Sequence, residues 1–145
     1  MTTALYETDF SQWAVAQADI LRDGDLADLD LDNLIEEIED MAGRHRDELH
    51  SRFRQIMEHL LKMQCEPESL AVNGWRREIQ AYRLDLRHML KRNASLRATA
   101  GDYVAEAYED ARLLAAAGSA CAVEDFPEFC PWTADQLLDP DFWPE

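Results

Sequence analysis

Glycine, proline and cysteine are all scarce in this sequence. Its 145 residues include five glycines and five prolines, which argues against a loop-rich β protein or a disordered chain. The three cysteines, Cys65, Cys121 and Cys130, show no C-x-x-C spacing and cannot all pair within one chain, which is typical of a reducing cytosol. The sequence therefore predicts a folded protein with no cysteine-bound metal.

Long apolar runs are also missing. No stretch approaches the roughly 18 to 20 uncharged apolar residues that span a bilayer. The first residues, MTTALYETDF, lack the basic start and apolar run of an export signal. We therefore expect a cytoplasmic protein that neither enters nor crosses a membrane.

Basic residues are few and unevenly placed. Lysine and arginine number 14 against 30 acidic residues, which gives a net charge of −16. Residues 1–43 contain twelve acids and one arginine, residues 44–97 contain twelve bases and seven acids, and residues 98–145 contain eleven acids and one arginine. Because the acidic ends repel phosphate backbones, nucleic acid is not a predicted partner.

Apolar residues recur at steps of three and four, which predicts an all-α fold. Caps and helix breakers place the main helices at about 8–24, 30–67, 73–93 and 95–118. The predicted N-caps are Thr8, Asp30, Asn73 and Ser95, while Gly24 ends the first helix and Asn93 is suited to the left-handed conformation that ends the third. In the long second helix the apolar residues from Leu34 to Met63, including Ile35, Ile38 and Met41, share one face, which predicts a core face along its whole length. The expected fold is a single-domain bundle of four main helices over residues 1–145.

The C-terminal segment, residues 126–145, differs in composition from the helices. It contains five aromatic residues, and Thr133 is suited to cap a short helix that ends at Leu138. So much apolar surface is not expected on a free end. We expect the segment to pack on the bundle of its own chain, while docking into a second copy or another protein stays open. Its aromatic residues are Phe126, Phe129, Trp132, Phe142 and Trp143.

Four stretches carry a resemblance to a known family. They are YETDFSQWAVAQADILRDGDLADLDLDNLIEEIEDM, HLLKMQCEP, WRREIQAYR and FPEFCPWTADQLLDPDFWPE. Together they make the chain similar to the bacterial domain-of-unknown-function family 29, over essentially its whole length. The resemblance implies a compact helical protein of the bacterial cytoplasm, and it assigns no catalytic or ligand-binding residue to this chain.

The second predicted helix carries polar residues along the edge of its apolar face. His45, Arg52 and His59 follow one another at intervals of seven. Such residues are normally satisfied by hydrogen bonds inside the fold, and the alternative is that His59 faces a pocket as a base or ligand.

The Asp-x-x-His pairs at 47–50 and 85–88 fall on the polar side of their helices, so the sequence predicts no metal site. The acidic run Glu36 to Asp40 is expected to be a solvated face.

A basic stripe runs along the third predicted helix. It can be used for salt bridges within the chain, for an anionic ligand or for an acidic partner, and the sequence leaves these alternatives open. The stripe consists of Arg76, Gln80, Arg83, Arg87 and Lys91.

No catalytic motif accompanies these features, and no cofactor is predicted. We therefore expect a protein-binding or regulatory protein rather than an enzyme, with self-association through the C-terminal segment as a further possibility. The alternative is an enzyme or small-ligand-binding bundle with a site between the second and third helices. The residues proposed for a ligand or partner site are His59, Trp75, Tyr82, Arg83 and Arg87.

Overall fold

The computed structural model describes residues 2–145, with side chains from residue 4 onward. These residues contain no β-strand, and the predicted all-α fold with four main helices is confirmed. None of the described helices combines the length and apolar character needed to cross a bilayer. The helices are α1 (Thr2–Thr8), α2 (Phe10–Asp23), α3 (Leu31–Cys65), α4 (Val72–Lys91), α5 (Ala94–Thr99), α6 (Val104–Ala117) and α7 (Ala134–Leu138).

The chain divides into two compact units. One unit ends at Arg44 and includes α1, α2 and the first part of α3, while the other, His45–Glu145, includes the remaining elements. The predicted long helix is α3, which continues through Gly43 without a break over 35 residues. The prediction that residues 1–145 form one domain stays a prediction.

In the N-terminal unit, the ends of α2 are set by an aspartate and a glycine. Asp9 accepts a hydrogen bond from the Gln12 N–H over 3.0 Å and so caps the first turn. Gly24 takes the left-handed conformation with φ 77° and ends the helix, as predicted. The predicted cap at Thr8 is wrong, because Thr8 ends α1 and its hydroxyl donates to the Ala4 carbonyl.

Asp30 connects α2 to the start of α3. The indole of Trp13 donates to the Asp30 carboxylate over 3.0 Å, and the Asn33 amide donates to it over 2.8 Å. The backbone N–H of Asp30 donates to the Gln17 side-chain oxygen over 2.8 Å. Trp13 and Gln17 are both buried. Gln17 is the polar residue in the apolar stripe of α2, and its hydrogen bond to Asp30 gives it a structural role.

The core of the second unit lies between the later part of α3, α4 and α6. Fully buried side chains of α3, such as Phe53 and Leu60, meet Ile79 and Leu86 of α4 in one cluster. Three small residues of α6 are fully buried in the same cluster, where they take up little volume between neighbouring elements. These residues are Ala107, Ala111 and Ala115.

Helix boundaries around α4 differ from the prediction. Asn73 lies inside the first turn rather than at the cap, and Ala71 precedes the helix without a side-chain cap. Asn93 has φ −133° instead of the predicted left-handed conformation, and its amide donates to the Met89 carbonyl over 2.7 Å. The predicted fourth helix is divided into α5 and α6 by the 3₁₀ turn Ala100–Tyr103.

A disulfide joins the end of α3 to the segment after α6. Cys65 and Cys121 are bonded, with their Cα atoms 6.1 Å apart and a sequence separation of 56. This corrects the interpretation of the cysteines as typical of a reducing cytosol, because disulfides persist mainly in oxidising compartments. The cytoplasmic location stays a prediction.

The C-terminal segment packs on the second unit, as predicted. Thr133 caps α7, since its hydroxyl accepts from the Gln136 N–H over 3.2 Å while the Gln136 side chain accepts from the Thr133 N–H over 3.0 Å. Phe129 is the exception among the aromatic residues of the segment and is 79% exposed. The side chains that join or line the core include Phe126, Trp132, Leu137, Phe142 and Trp143.

Candidate functional site

Arg83 holds the C-terminal segment on α4. Its side chain is only 2% exposed, its Nε donates to the Leu137 carbonyl over 2.8 Å, and its Nη2 donates to the Phe142 carbonyl over 2.9 Å. Burial lowers the pKa of the guanidinium, and the nearby Asp139 carboxylate opposes this shift. Arg83 is therefore used within the chain.

Two further residues of the basic stripe contact the same segment. The ring of Trp143 has the guanidinium carbon of Arg83 at 4.9 Å from its centroid and that of Arg76 at 5.1 Å. The Gln80 amide donates to the Pro140 carbonyl over 2.9 Å. The first half of the stripe, from Arg76 to Arg83, thus binds the chain's own C-terminal segment. The internal use considered from the sequence was different, namely salt bridges to acidic side chains.

His59 and Tyr82 form a separate cluster between α3 and α4. The His59 Nε2 lies 2.5 Å from the Glu78 carboxylate, and the His59 ring lies 6.0 Å from that of Tyr82. The Arg52 guanidinium lies 5.1 Å from the Tyr82 centroid. Burial raises the pKa of the Tyr82 phenol, and the Glu78 charge raises it further. His59 is thus held by an internal carboxylate.

Trp75 lies at the start of α4, about one turn before Glu78. Its half-buried ring has the Lys62 ammonium at 5.7 Å from its centroid. The residues proposed from the sequence therefore do not converge on one crevice. They are distributed as His59 with Tyr82, Arg83 with the C-terminal segment, Trp75 with Lys62, and Arg87 in a groove.

That groove, the α4–α7 groove, lies between the end of α4, α5 and α7 and has a volume of about 760 Å³. Arg87 and Lys91 of α4 and Arg97 of α5 supply its positive charge, while Asp135 and Asp139 supply negative charge from α7 and the residues after it. Among the described residues, no carboxylate lies within 4.0 Å of the three cations. The second half of the basic stripe is therefore accessible from outside.

An exposed apolar face marks the first part of α3 in the N-terminal unit. Leu31, Ile35, Ile38 and Met41 are between 52% and 63% exposed. At about 100° per residue, the first three and Ala42 lie within about 60° of one another around the helix. Leu31, Ile35, Ile38, Met41 and Ala42 are called the apolar face of α3 below. Their exposure shows that the prediction of a core face along the whole helix is wrong for its first part.

Acidic side chains border this face. Asp32 and Glu39, one heptad apart, are exposed and follow Ile35 around the helix, at an angle of about 40 to 60° from it. The N-terminal unit has only two arginines, and both contact acids of the same unit: Arg22 with Asp19 and Arg44 with Glu37. Periodicity alone does not reveal this surface, because it identifies an apolar face without showing whether another element covers it. The dense acids between its apolar positions were the available signal.

The remaining polar residues considered from the sequence, the acidic run of α3 and the two Asp-x-x-His pairs, include members that contact polar or charged side chains elsewhere in the chain. Glu37 accepts a hydrogen bond from the Tyr6 hydroxyl over 2.7 Å, which raises the pKa of that phenol above its usual range. Asp85 lies 3.4 Å from Arg52, and His50 lies 3.9 Å from Asp110. Within the described residues, no group of three His, Cys, Asp or Glu side chains is arranged to hold a metal ion.

Comparison with known proteins agrees with the whole-length family resemblance. No curated protein and no solved structure matches the chain. A family model described as "Domain of unknown function DUF29" matches residues 5–143. Because this match covers nearly all 145 residues, the chain belongs to the DUF29 family.

Proposed function

We propose that this protein is a protein-binding module whose apolar face of α3 receives an amphipathic helix with basic residues. The observation that carries the proposal is the exposure of Leu31, Ile35, Ile38 and Met41 at helical spacing. Single exposed aliphatic residues are common, but a contiguous strip with a charged border is typical of an interaction surface. The partner would cover this strip and remove it from water.

The shape of the strip favours a helix as the occupant. From Leu31 to Ala42 it extends for about 16 Å at 1.5 Å per residue, which is about three helical turns. A partner helix that packs along it would place one apolar residue per turn against Leu31, Ile35 and Ile38. This is the helix-in-groove type of recognition, in which apolar anchors repeat at three and four residue steps.

Charge determines which kind of helix fits. The border residues Asp32 and Glu39 are exposed, and most of the acids in this unit have no arginine or lysine nearby to compensate them. Lysine or arginine residues one heptad apart on the partner would face these two carboxylates. A second copy paired through the same strip in an antiparallel arrangement would bring the border acids Asp32 and Glu39 of the two copies towards one another, which weighs against self-association here.

The C-terminal segment is not the proposed interaction surface. Its backbone carbonyls are held by Gln80 and Arg83, and its apolar side chains line the core of the second unit. Self-association through this segment would require these contacts to be replaced. The apolar face of α3 has no such competing use, which supports it as the binding surface.

The test is a titration, read by fluorescence anisotropy, of a labelled helical peptide with leucines on one face and lysines on the other. Replacing Ile35 and Ile38 by serine should cost about 2 kcal/mol, or about 30-fold in affinity, because each is half exposed before binding. The matched control replaces Leu84 and Leu113 by serine. These leucines are 53% and 58% exposed in the second unit, and the control variant should bind the peptide as tightly as the wild type.

A second arm tests the charge. The double substitution Asp32→Lys and Glu39→Lys should weaken binding of the lysine peptide more than Glu68→Lys with Glu124→Lys, which changes the net charge equally elsewhere. Equal binding of a scrambled peptide of the same composition, or full affinity in the Ile35→Ser and Ile38→Ser variant, would contradict the proposal. Dimerisation that this variant abolishes would assign the face to a second copy instead.

A further inference from the structure

The α4–α7 groove combines positive charge with an apolar floor. Arg87 and Lys91 are one turn apart on α4, and Arg97 comes from α5, so that three cations from two helices border one cavity. All three side chains are exposed, and they lie more than 4.0 Å from the carboxylates of the described chain. These cations therefore keep their capacity to bind an anion.

Apolar side chains form part of the groove lining, beside the charged ones. Leu90 and Ala100 are almost fully buried beneath it, and Leu138 and Ala98 line its sides. The volume of about 760 Å³ falls within the range of roughly 300 to 1,000 Å³ that small-molecule sites occupy. A ligand that used this surface would need an apolar body in addition to its charge.

Two carboxylates and a histidine complete the titratable lining. Asp135 and Asp139 come from α7 and its C-terminal end, and the charge of Asp139 also acts on the buried Arg83. His88 lies beside Arg87 on α4. Because the carboxylates repel a second negative charge, they favour an anion with its head towards α4 and α5 and its uncharged body towards Leu138.

We propose that the α4–α7 groove binds a small amphiphilic anion, in which one carboxylate or phosphate faces Arg87, Lys91 and Arg97 and a compact apolar body lies on Leu90 and Leu138. This site is separate from the apolar face of α3 and does not depend on the proposed protein-binding function. It uses Arg87 and Lys91 of the basic stripe, whereas Arg76 and Arg83 of the same stripe contact the C-terminal segment directly.

The experiment is a titration of the folded full chain with sodium octanoate, followed in the amide NMR spectrum. Octanoate should shift the amides of Ala98 and Gly101, which line the groove, and octanol should shift them at least tenfold more weakly at equal concentration. Octyl phosphate distinguishes a phosphate site from a carboxylate site, and inorganic phosphate tests the charge alone. Saturable shifts with either amphiphile and not with octanol support the proposal.

Variants connect the shifts to the cations. Arg87→Gln with Arg97→Gln should weaken octanoate binding at least tenfold, whereas Arg46→Gln with Arg77→Gln, which removes the same charge from exposed positions elsewhere, should leave it unchanged. Ile35→Ser with Ile38→Ser should also leave it unchanged, so failure of this site and failure of the protein-binding surface can be told apart. Octanoate and octanol binding equally, or unaltered affinity in the Arg87 and Arg97 variant, would overturn the proposal.

Discussion

Replacement of Arg83 by methionine tests how the C-terminal segment is held. The substitution keeps a long apolar stem but removes the hydrogen bonds from Nε to the Leu137 carbonyl and from Nη2 to the Phe142 carbonyl. Hydrogen bonds from a charged donor contribute about 1.5 to 3 kcal/mol each, and the contact with Trp143 adds about 1 kcal/mol. Methionine is uncharged, so the variant avoids the free-energy cost of burying a cation, and this offsets part of the lost stability. We expect a net destabilisation of about 2 to 4 kcal/mol.

The assay is urea unfolding followed by far-ultraviolet circular dichroism and tryptophan fluorescence. Arg83→Lys, which keeps the charge but cannot reach both carbonyls in the same fork geometry, should lie between the wild type and Arg83→Met. The control Arg87→Met, at an exposed position, should change the free energy of unfolding by less than about 0.5 kcal/mol. An Arg83→Met protein as stable as this control would refute the reasoning.

Three further predictions concern stability and thiol reactivity. Cys65→Ser, which opens the loop closed by the bond to Cys121, should lower the free energy of unfolding by about 4 kcal/mol in non-reducing urea, and reduction of the wild type should reproduce the loss. Burial raises the pKa of the Cys130 thiol, so iodoacetamide at pH 8 should alkylate it more slowly in the folded chain than in urea; equal rates would contradict its burial. Thr133→Ala should cost about 1 kcal/mol through loss of the α7 cap, and Thr133→Ser should restore most of it.

Much of the fold could be predicted from local signals. Gly24 ends α2 because a left-handed residue is needed there, and Thr133 starts α7 through a reciprocal cap with Gln136. Pro67, two residues after the last residue of α3, prevents the helix from continuing. Each of these features depends only on residues a few positions apart, which is why the sequence is sufficient to locate them.

Features that depend on distant contacts were predicted less well. The spacing of Ile35 and Ile38 shows an apolar face but cannot show whether another element covers it, and in the structure both are exposed. The pairing of Cys65 with Cys121 depends on the meeting of α3 and the segment after α6. Asn93 can take the left-handed conformation, but here the chain continues directly into α5.

In the candidate site, too, the features set by nearby residues could be predicted, whereas those set by distant contacts could not. The basic stripe on α4 was found from periodicity, but periodicity could not separate Arg83 from Arg87 in their roles. The carbonyls that bind Arg83 belong to residues more than 50 positions away, whereas Arg87 faces the α4–α7 groove. Only the path of the C-terminal segment distinguishes the two arginines.

The most direct test of the central claim is a methyl NMR titration of the isoleucine side chains with the leucine–lysine helical peptide. Ile35 and Ile38 report on the apolar face of α3, while Ile56 and Ile79 are fully buried in the second unit and serve as internal controls. We predict saturable shifts of the Ile35 and Ile38 methyl signals with unchanged Ile56 and Ile79 signals. Unchanged Ile35 and Ile38 signals at peptide saturation, or equal shifts of all four, would contradict a helix-binding role for this face.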